Sequence, residues 1–180
     1  MSDHGRPVSA RGPGARRRAR EVALAALYRA DLLDLSAAAT LASLPEVFAL
    51  SEEPWPQPRR QAHRLRAEAL AYAHEILTGV MLDREAIDGT IDGLAIDWRL
   101  DRLSITDRNL LRLSLWELNR GEPPAVVVNE AVEIAQEYGG PESSRFVNGI
   151  LGAWVRRQDR GDREPGAGAA EAGDQQGGAN

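Results

Sequence analysis

Apolar positions along this chain recur at helical rather than strand spacing from Ala15 to Val155. Ala19, Val22, Ala23, Ala26, Leu27 and Ala30 follow i, i+3, i+4, i+7, i+8 and i+11, one face of a 3.6-residue period. Ser36 is placed to cap a second helix carrying Leu41, Leu44 and Phe48, which the proline-rich Pro54 to Pro58 breaks into a loop. From Arg59 a long third helix carries Leu65, Ala69, Tyr72, Ala73, Ile76, Leu77 and Val80, and the pattern predicts its end near Thr78-Gly79. Asp83 offers a cap for a fourth, with Ile87, Ile91 and Leu94. Trp98, Leu100 and Leu103 anchor a connection to Ser104-Ile105-Thr106-Asp107, a capping signal with an acid in the first turn of a fifth helix.

The next segment sets two signals against each other. Val126-Val127-Val128 favours a strand, while Ala131, Ile134, Ala135 and Tyr138 repeat at helical spacing behind Pro123-Pro124. The longer period predicts a helix. Gly139-Gly140-Pro141 stops it, Ser143 or Ser144 is the expected cap of the last helix, and Phe146, Val147, Ile150, Leu151, Trp154 and Val155 form that helix's stripe. With no period-2 strand and no fixed repeat, the expectation is an all-α protein of about seven helices. Residues 1–14 and 158–180, rich in Gly, Pro and charge with few large apolar side chains, are expected to be disordered tails around a domain at 15–157.

Charge changes the picture by being uneven. The chain has 180 residues and a net charge of −5, with all 22 basic residues Arg. Residues 1–20 hold six Arg against one Asp, so positive charge gathers where the first helix begins, at Arg16, Arg17, Arg18 and Arg20. Free N–H groups and the dipole of a helix start favour the same anion that guanidinium groups would hold. The alternatives are a solvated basic arm or a targeting peptide. An acidic remainder excludes general attraction to nucleic acid, so phosphate binding has to be local, and it suits a basic protein partner.

There is no cysteine, and His4, His63 and His74 are scattered, so thiol catalysis and a metal cluster are not expected. Paired carboxylates such as Asp88 with Asp92, or Glu130 with Glu133, lack a histidine or lysine at workable spacing, so no catalytic residue is assigned. No apolar run approaches the roughly 20 residues of a membrane span. The absence of an apolar signal core makes the cytoplasm the expected compartment.

Three blocks carry a family resemblance. Ala15 through Tyr28, the helix Thr106 to Leu118, and the run Pro124-Ala125-Val126-Val127-Val128-Asn129-Glu130-Ala131-Val132-Glu133-Ile134-Ala135 with Tyr138-Gly139 and Phe146-Val147-Asn148-Gly149-Ile150-Leu151 resemble the NusB family of bacterial transcription antitermination factors. The resemblance implies two packed three-helix halves plus a further helix, no enzymatic activity and no cofactor. It implies binding to boxA-type single-stranded RNA of ribosomal RNA leaders together with NusE, a small-subunit ribosomal protein, on transcribing RNA polymerase. The same unit fronts a ribosomal RNA cytosine methyltransferase, whose catalytic part needs a cysteine that this chain lacks. A helical protein–protein module without RNA binding is the other alternative.

Matched to the family, Arg16, Arg17, Arg18 and Arg20 fall on its RNA-binding arm and Arg112 on an RNA-contacting position of the central helix. For Arg112 a salt bridge to Asp107 or Glu117 stays open. Phe146 falls near the RNA, where it stacks on a base or belongs to the core by its spacing with Ile150; Ser144 and Arg145 are phosphate candidates. Asp107 matches a NusE-facing position, and Asp97, Asp101 and Glu117 extend that acidic flank. Tyr28 reads as core-edge, and Asn129 and Glu130 as polar groups bonded to helix ends. Monomer and homodimer are both open.

Overall fold

The computed structural model describes residues 14–51, 59–95 and 99–161; residues 1–13 and 162–180 of the expected tails, the Pro54 to Pro58 loop, Asp97 and Trp98 lie outside the described residues, whereas 158–161, expected in the C-terminal tail, continue the last helix. Within them the chain is all-α. Seven helices follow in order: α1 (Ala15–Leu33), α2 (Ala37–Leu50), α3 (Arg59–Leu82), α4 (Arg84–Leu94), α5 (Ile105–Asn119), α6 (Pro124–Tyr138) and α7 (Ser143–Gly161), with a 3₁₀ turn at Leu100–Arg102.

Local chemistry explains most of the boundaries. Ser36 Oγ accepts from the Ala39 N–H at 3.2 Å and Ser104 Oγ from the Asp107 N–H at 3.0 Å, each satisfying one free donor of the helix start. The α6 segment is helical despite its three valines, with Val127, Ala131, Ile134 and Ala135 buried on one face. Asp83 occupies the N-cap position of α4 but its side chain makes no cap bond.

Two expectations are corrected. Helix α3 runs past Gly79 to Leu82, because the glycine is a packing gap and not a stop: a Cβ there would lie 1.8 Å from Trp116 Nε1. Neither Ser143 nor Ser144 caps α7 in the ordinary sense. The Ser143 hydroxyl turns back to accept from the Gly140 N–H at 2.8 Å and so tightens the turn out of α6.

Helices α1, α2 and α3 pack on one another, α5, α6 and α7 do the same with α4 against α5 and α7, and α1 lies across both groups through α5. These are the two halves, and one continuous core from Ala19 to Leu151 joins them. Helix α1 runs antiparallel to α5, since Arg20 near its start meets Glu117 near the end of α5, while Asp31 near its end meets Arg108 and Asn109. It runs in the same direction as α3, with Arg16 over Tyr72 and Asp31 at Arg84, the α4 residue just past the end of α3. The start of α1 is thereby fixed at an edge where α3, α5 and α6 converge.

Candidate nucleic-acid interface

Gly14 precedes α1 and supplies no capping side chain, and no acid stands in the first turn. Intrahelical bonding begins with the Arg18 N–H to the Gly14 carbonyl at 3.1 Å, so the donors before it have no partner within the helix. Around this open end the four arginines diverge, because successive helical positions face different neighbours.

Arg16 is 58% exposed, reaches Glu122 at 2.6 Å and lies 4.6 Å from the Tyr72 ring centroid. The hydrogen bond to Glu122 holds its pKa above the ordinary arginine value. Arg17 sits at the rim, donating to Glu21 at 2.7 Å, Glu133 at 3.0 Å and Glu137 at 3.1 Å. Arg18 is largely covered and donates to Glu21 at 3.2 Å. Arg20 is 2% exposed, with Nε bonded to both Glu117 oxygens at 3.0 and 2.8 Å. Burial opposes its charge, but the bonds to Glu117 and the fields of Glu117 and Glu130 outweigh it and raise the pKa.

Three sequence assignments change here. Arg20 is an internal clamp between α1 and α5, with no surface to offer RNA. Glu117, assigned to the acidic partner flank, is fully buried between Arg20 and the Tyr72 hydroxyl, which donates to it at 2.5 Å. Arg112 is also buried. Its salt bridge goes neither to Asp107 nor to Glu117 but to Asp88, through Nε at 2.7 Å and Nη2 at 2.8 Å, with Nη1 on Asp31 at 3.2 Å. Asp31 further accepts from Arg84, Arg108 and Asn109. Burial would raise the Asp31 pKa, yet the bonds from Arg108 and Asn109 and the charge of Arg112 hold it below the usual carboxylate range.

At the start of α7, Phe146 is half-buried and packs on the core, Ser144 is also half-buried, and Arg145 is exposed. Ser144 and Arg145 face a groove of about 800 Å³ between α6 and α7. That groove adjoins the arm through a shared carboxylate. Asn129 on its wall donates to Glu133 at 3.0 Å, and the other Glu133 oxygen accepts from Arg17. Asn129 is thus an exposed side chain bonded within its own helix, while Glu130 points at Arg20 and Arg17, at 3.5 and 3.7 Å.

The acidic flank is smaller than the sequence suggests. Asp107 is partly buried, with Oδ1 lacking a hydrogen-bond partner among the described residues. Asp101 is 64% exposed and paired to Arg99 at 3.2 Å. Thr106, beside Asp107, lines a second groove with Tyr28, Leu50 and Tyr138. Tyr28 is 41% exposed and Tyr138 48%, so the core-edge reading of Tyr28 understated its accessibility. The signal was present in the register, since Tyr28 falls off the stripe that carries Leu27 and Ala30. Burial, with the charge of Glu21 and the hydrogen bond to Glu137, pushes the Tyr138 hydroxyl up to about 12.

The comparisons with known proteins agree with this architecture. The NusB family model matches residues 17–156. The transcription antitermination protein NusB of Desulfotalea psychrophila is 41% identical over 140 residues, 77% of this chain and 93% of the relative, and that of Myxococcus xanthus is 40% identical over 140 residues, 77% and 92% respectively. Among solved structures, NusB of T. maritima superposes with a TM-score of 0.64 at 29% identity, over 84% of this chain and 99% of that one. A structure of the antitermination factors NusB and NusE in complex with double-stranded RNA gives a TM-score of 0.64 at 26% identity, over 79% and 97%. With the family model spanning all seven helices and near-full-length relatives at about 40% identity, this chain belongs to the NusB family of transcription antitermination proteins.

Proposed function

We propose that the chain is a non-enzymatic RNA-binding adaptor, which holds boxA-type single-stranded RNA of ribosomal RNA leaders together with NusE and loads the pair onto transcribing RNA polymerase. The observation that carries this reading is the uncapped, acid-free start of α1, with Arg16 exposed beside it. Phosphate oxygens would accept from the free N–H groups and from Arg16, with Arg17 at the rim exchanging carboxylate partners for phosphate, while Arg18, buried against Glu21, supports the arm from beneath. Ser144 and Arg145 extend the contact and the half-exposed edge of Phe146 offers a face for a base. Arg20 and Arg112 act indirectly, by fixing where α1 lies.

For the protein partner, the reading uses Asp107, next in sequence to Thr106 on the wall of the groove with Tyr28, and Asp101 on the preceding 3₁₀ turn. Such charges would steer a basic ribosomal protein more than they tighten its hold. NusB and NusE occur together with RNA in one of the similar solved structures. The RNA there is double-stranded; a single strand is favoured for this chain because its positive surface is short and a single strand exposes base faces to Phe146.

Fluorescence anisotropy across a salt series tests the reading, comparing the parent with the joint Arg16→Ala, Arg17→Ala, Arg18→Ala variant on single-stranded and duplex boxA RNA. The variant should lose affinity for the single strand, and its log–log salt slope should fall by about 0.7 per phosphate contact removed. Equal binding and equal slope would remove the arm from the site. Absence of RNA binding by the parent, with NusE present, would favour the protein-only module.

A further inference from the structure

The groove between α6 and α7 differs from the arm in one respect: its arginines are unspent. Arg145 and Arg156 both line it and both are exposed, and neither has a hydrogen bond or ion pair among the described residues. Among the described residues no carboxylate lines this groove. The α6 acids Glu130, Glu133 and Glu137 pair with Arg17 instead, Glu133 also accepting from Asn129. The floor is apolar, from Val128 and Val132 on α6 and Val155 on α7, and Asn129 and Asn148 stand on its sides.

We propose that this groove seats a further stretch of the same RNA strand, beyond the nucleotides held at the arm; the proposal rests on the adaptor reading above. Arg145 and Arg156 are eleven positions apart on α7, so their Cα atoms lie roughly 16 Å apart at 1.5 Å rise per residue. That separation places them as entry and exit contacts for phosphates, with sugar and base against the valines between them. Asn129 and Asn148 supply donors and acceptors for base edges, the groups that read sequence where phosphate contacts only position. The groove adjoins the arm, since Asn129 on the groove wall is bonded to the same Glu133 that accepts from Arg17. Charge argues for RNA over a second protein site, because a basic protein partner would meet two like charges with no acid to receive it.

The experiment measures anisotropy of the full chain with two RNAs, a boxA-type strand and the same strand lengthened by several uridines at either end. The parent should bind the longer RNA more tightly. Arg156→Ala should lose affinity severalfold on the longer RNA alone, with a salt slope smaller by about 0.7. Ala125→Glu places a carboxylate at the groove mouth, at an exposed position in the first turn of α6 where an acid suits the helix dipole, and should act in the same direction with unchanged circular dichroism. If both variants bind the longer RNA like the parent, the groove proposal falls while the arm reading stands. If they weaken NusE binding and leave RNA untouched, the groove is a protein site and the proposal is overturned. If the parent binds neither RNA, the arm reading and this proposal fall together.

Discussion

Arg16 and Arg20 stand one turn apart on α1 and are indistinguishable in an arginine-rich run, yet they belong to two regions with opposite physics. Around Arg20 the chain has built a dry clamp: guanidinium, Glu117 carboxylate and Tyr72 hydroxyl close on one another across α1, α5 and α3. Around Arg16 it has left a wet edge, where one exposed guanidinium lies over Tyr72 and meets a single surface acid at the uncapped helix start. The difference teaches that a basic cluster is not one object. A charge that is buried has to be paired, and that pairing removes it from binding; only what the fold leaves unburied is available to a ligand.

The largest test breaks the clamp. Glu117→Ala leaves Arg20 buried with only the more distant Glu130 at 3.5 Å, and should cost about 3–5 kcal/mol of unfolding free energy, the usual penalty for stranding one member of a buried pair. Urea denaturation followed by circular dichroism measures it. A loss below about 1 kcal/mol, the range of exposed ion pairs, would mean that the two regions do not differ as the geometry says.

How much of this was legible beforehand follows from how far apart the partners lie. The helices, the Ser36 and Ser104 caps and the helical state of Val126 to Val128 rest on neighbours within a few turns, and the sequence pattern holds those neighbours side by side. Arg20 to Glu117 spans 97 residues and Arg112 to Asp31 spans 81, so no local pattern announces them. The overrun of α3 past Gly79 has the same cause, since Trp116 from another helix takes the space a side chain would need. The open helix start was legible because it is made of consecutive residues. The α6–α7 groove was not, as it exists only once two helices are set against each other.

The second test uses pH, because α1 is clamped at both ends by groups that fail in opposite directions. At its far end Asp31 is held below the usual carboxylate value of about 3.9 by Arg108, Asn109, Arg112 and Arg84, against the cost of burial. The unfolded chain therefore takes up a proton there first as pH falls, so this contribution is complete above about pH 4 and is lost as pH drops through the folded value. At the near end burial and Glu117 hold Tyr72 protonated above its ordinary range. The unfolded chain releases that proton first, so this contribution is complete below about pH 10 and is lost as pH rises through the folded value. Unfolding free energy measured against pH should show both limbs. Asp31→Asn should flatten the acid limb alone and Tyr72→Phe the alkaline limb alone; an acid limb unchanged in Asp31→Asn would dissociate it from this network.

The smallest stability effect is expected where the binding effect should be most separable from it. Arg16→Ala removes an exposed pair and a ring contact, so the unfolding free energy should change by no more than about 1 kcal/mol, while single-strand RNA affinity falls and the salt slope decreases by about 0.7. Arg16→Lys sharpens the comparison further. A lysine keeps the point charge and hence most of the salt dependence, but loses the planar fork that spans two phosphate oxygens and stacks on Tyr72. Affinity between those of the parent and Arg16→Ala, at the parent's slope, would assign the remaining difference to guanidinium geometry. If Arg16→Ala destabilises as much as Glu117→Ala does, then the edge is part of the clamp, and the division of labour along the first two turns of α1 is wrong.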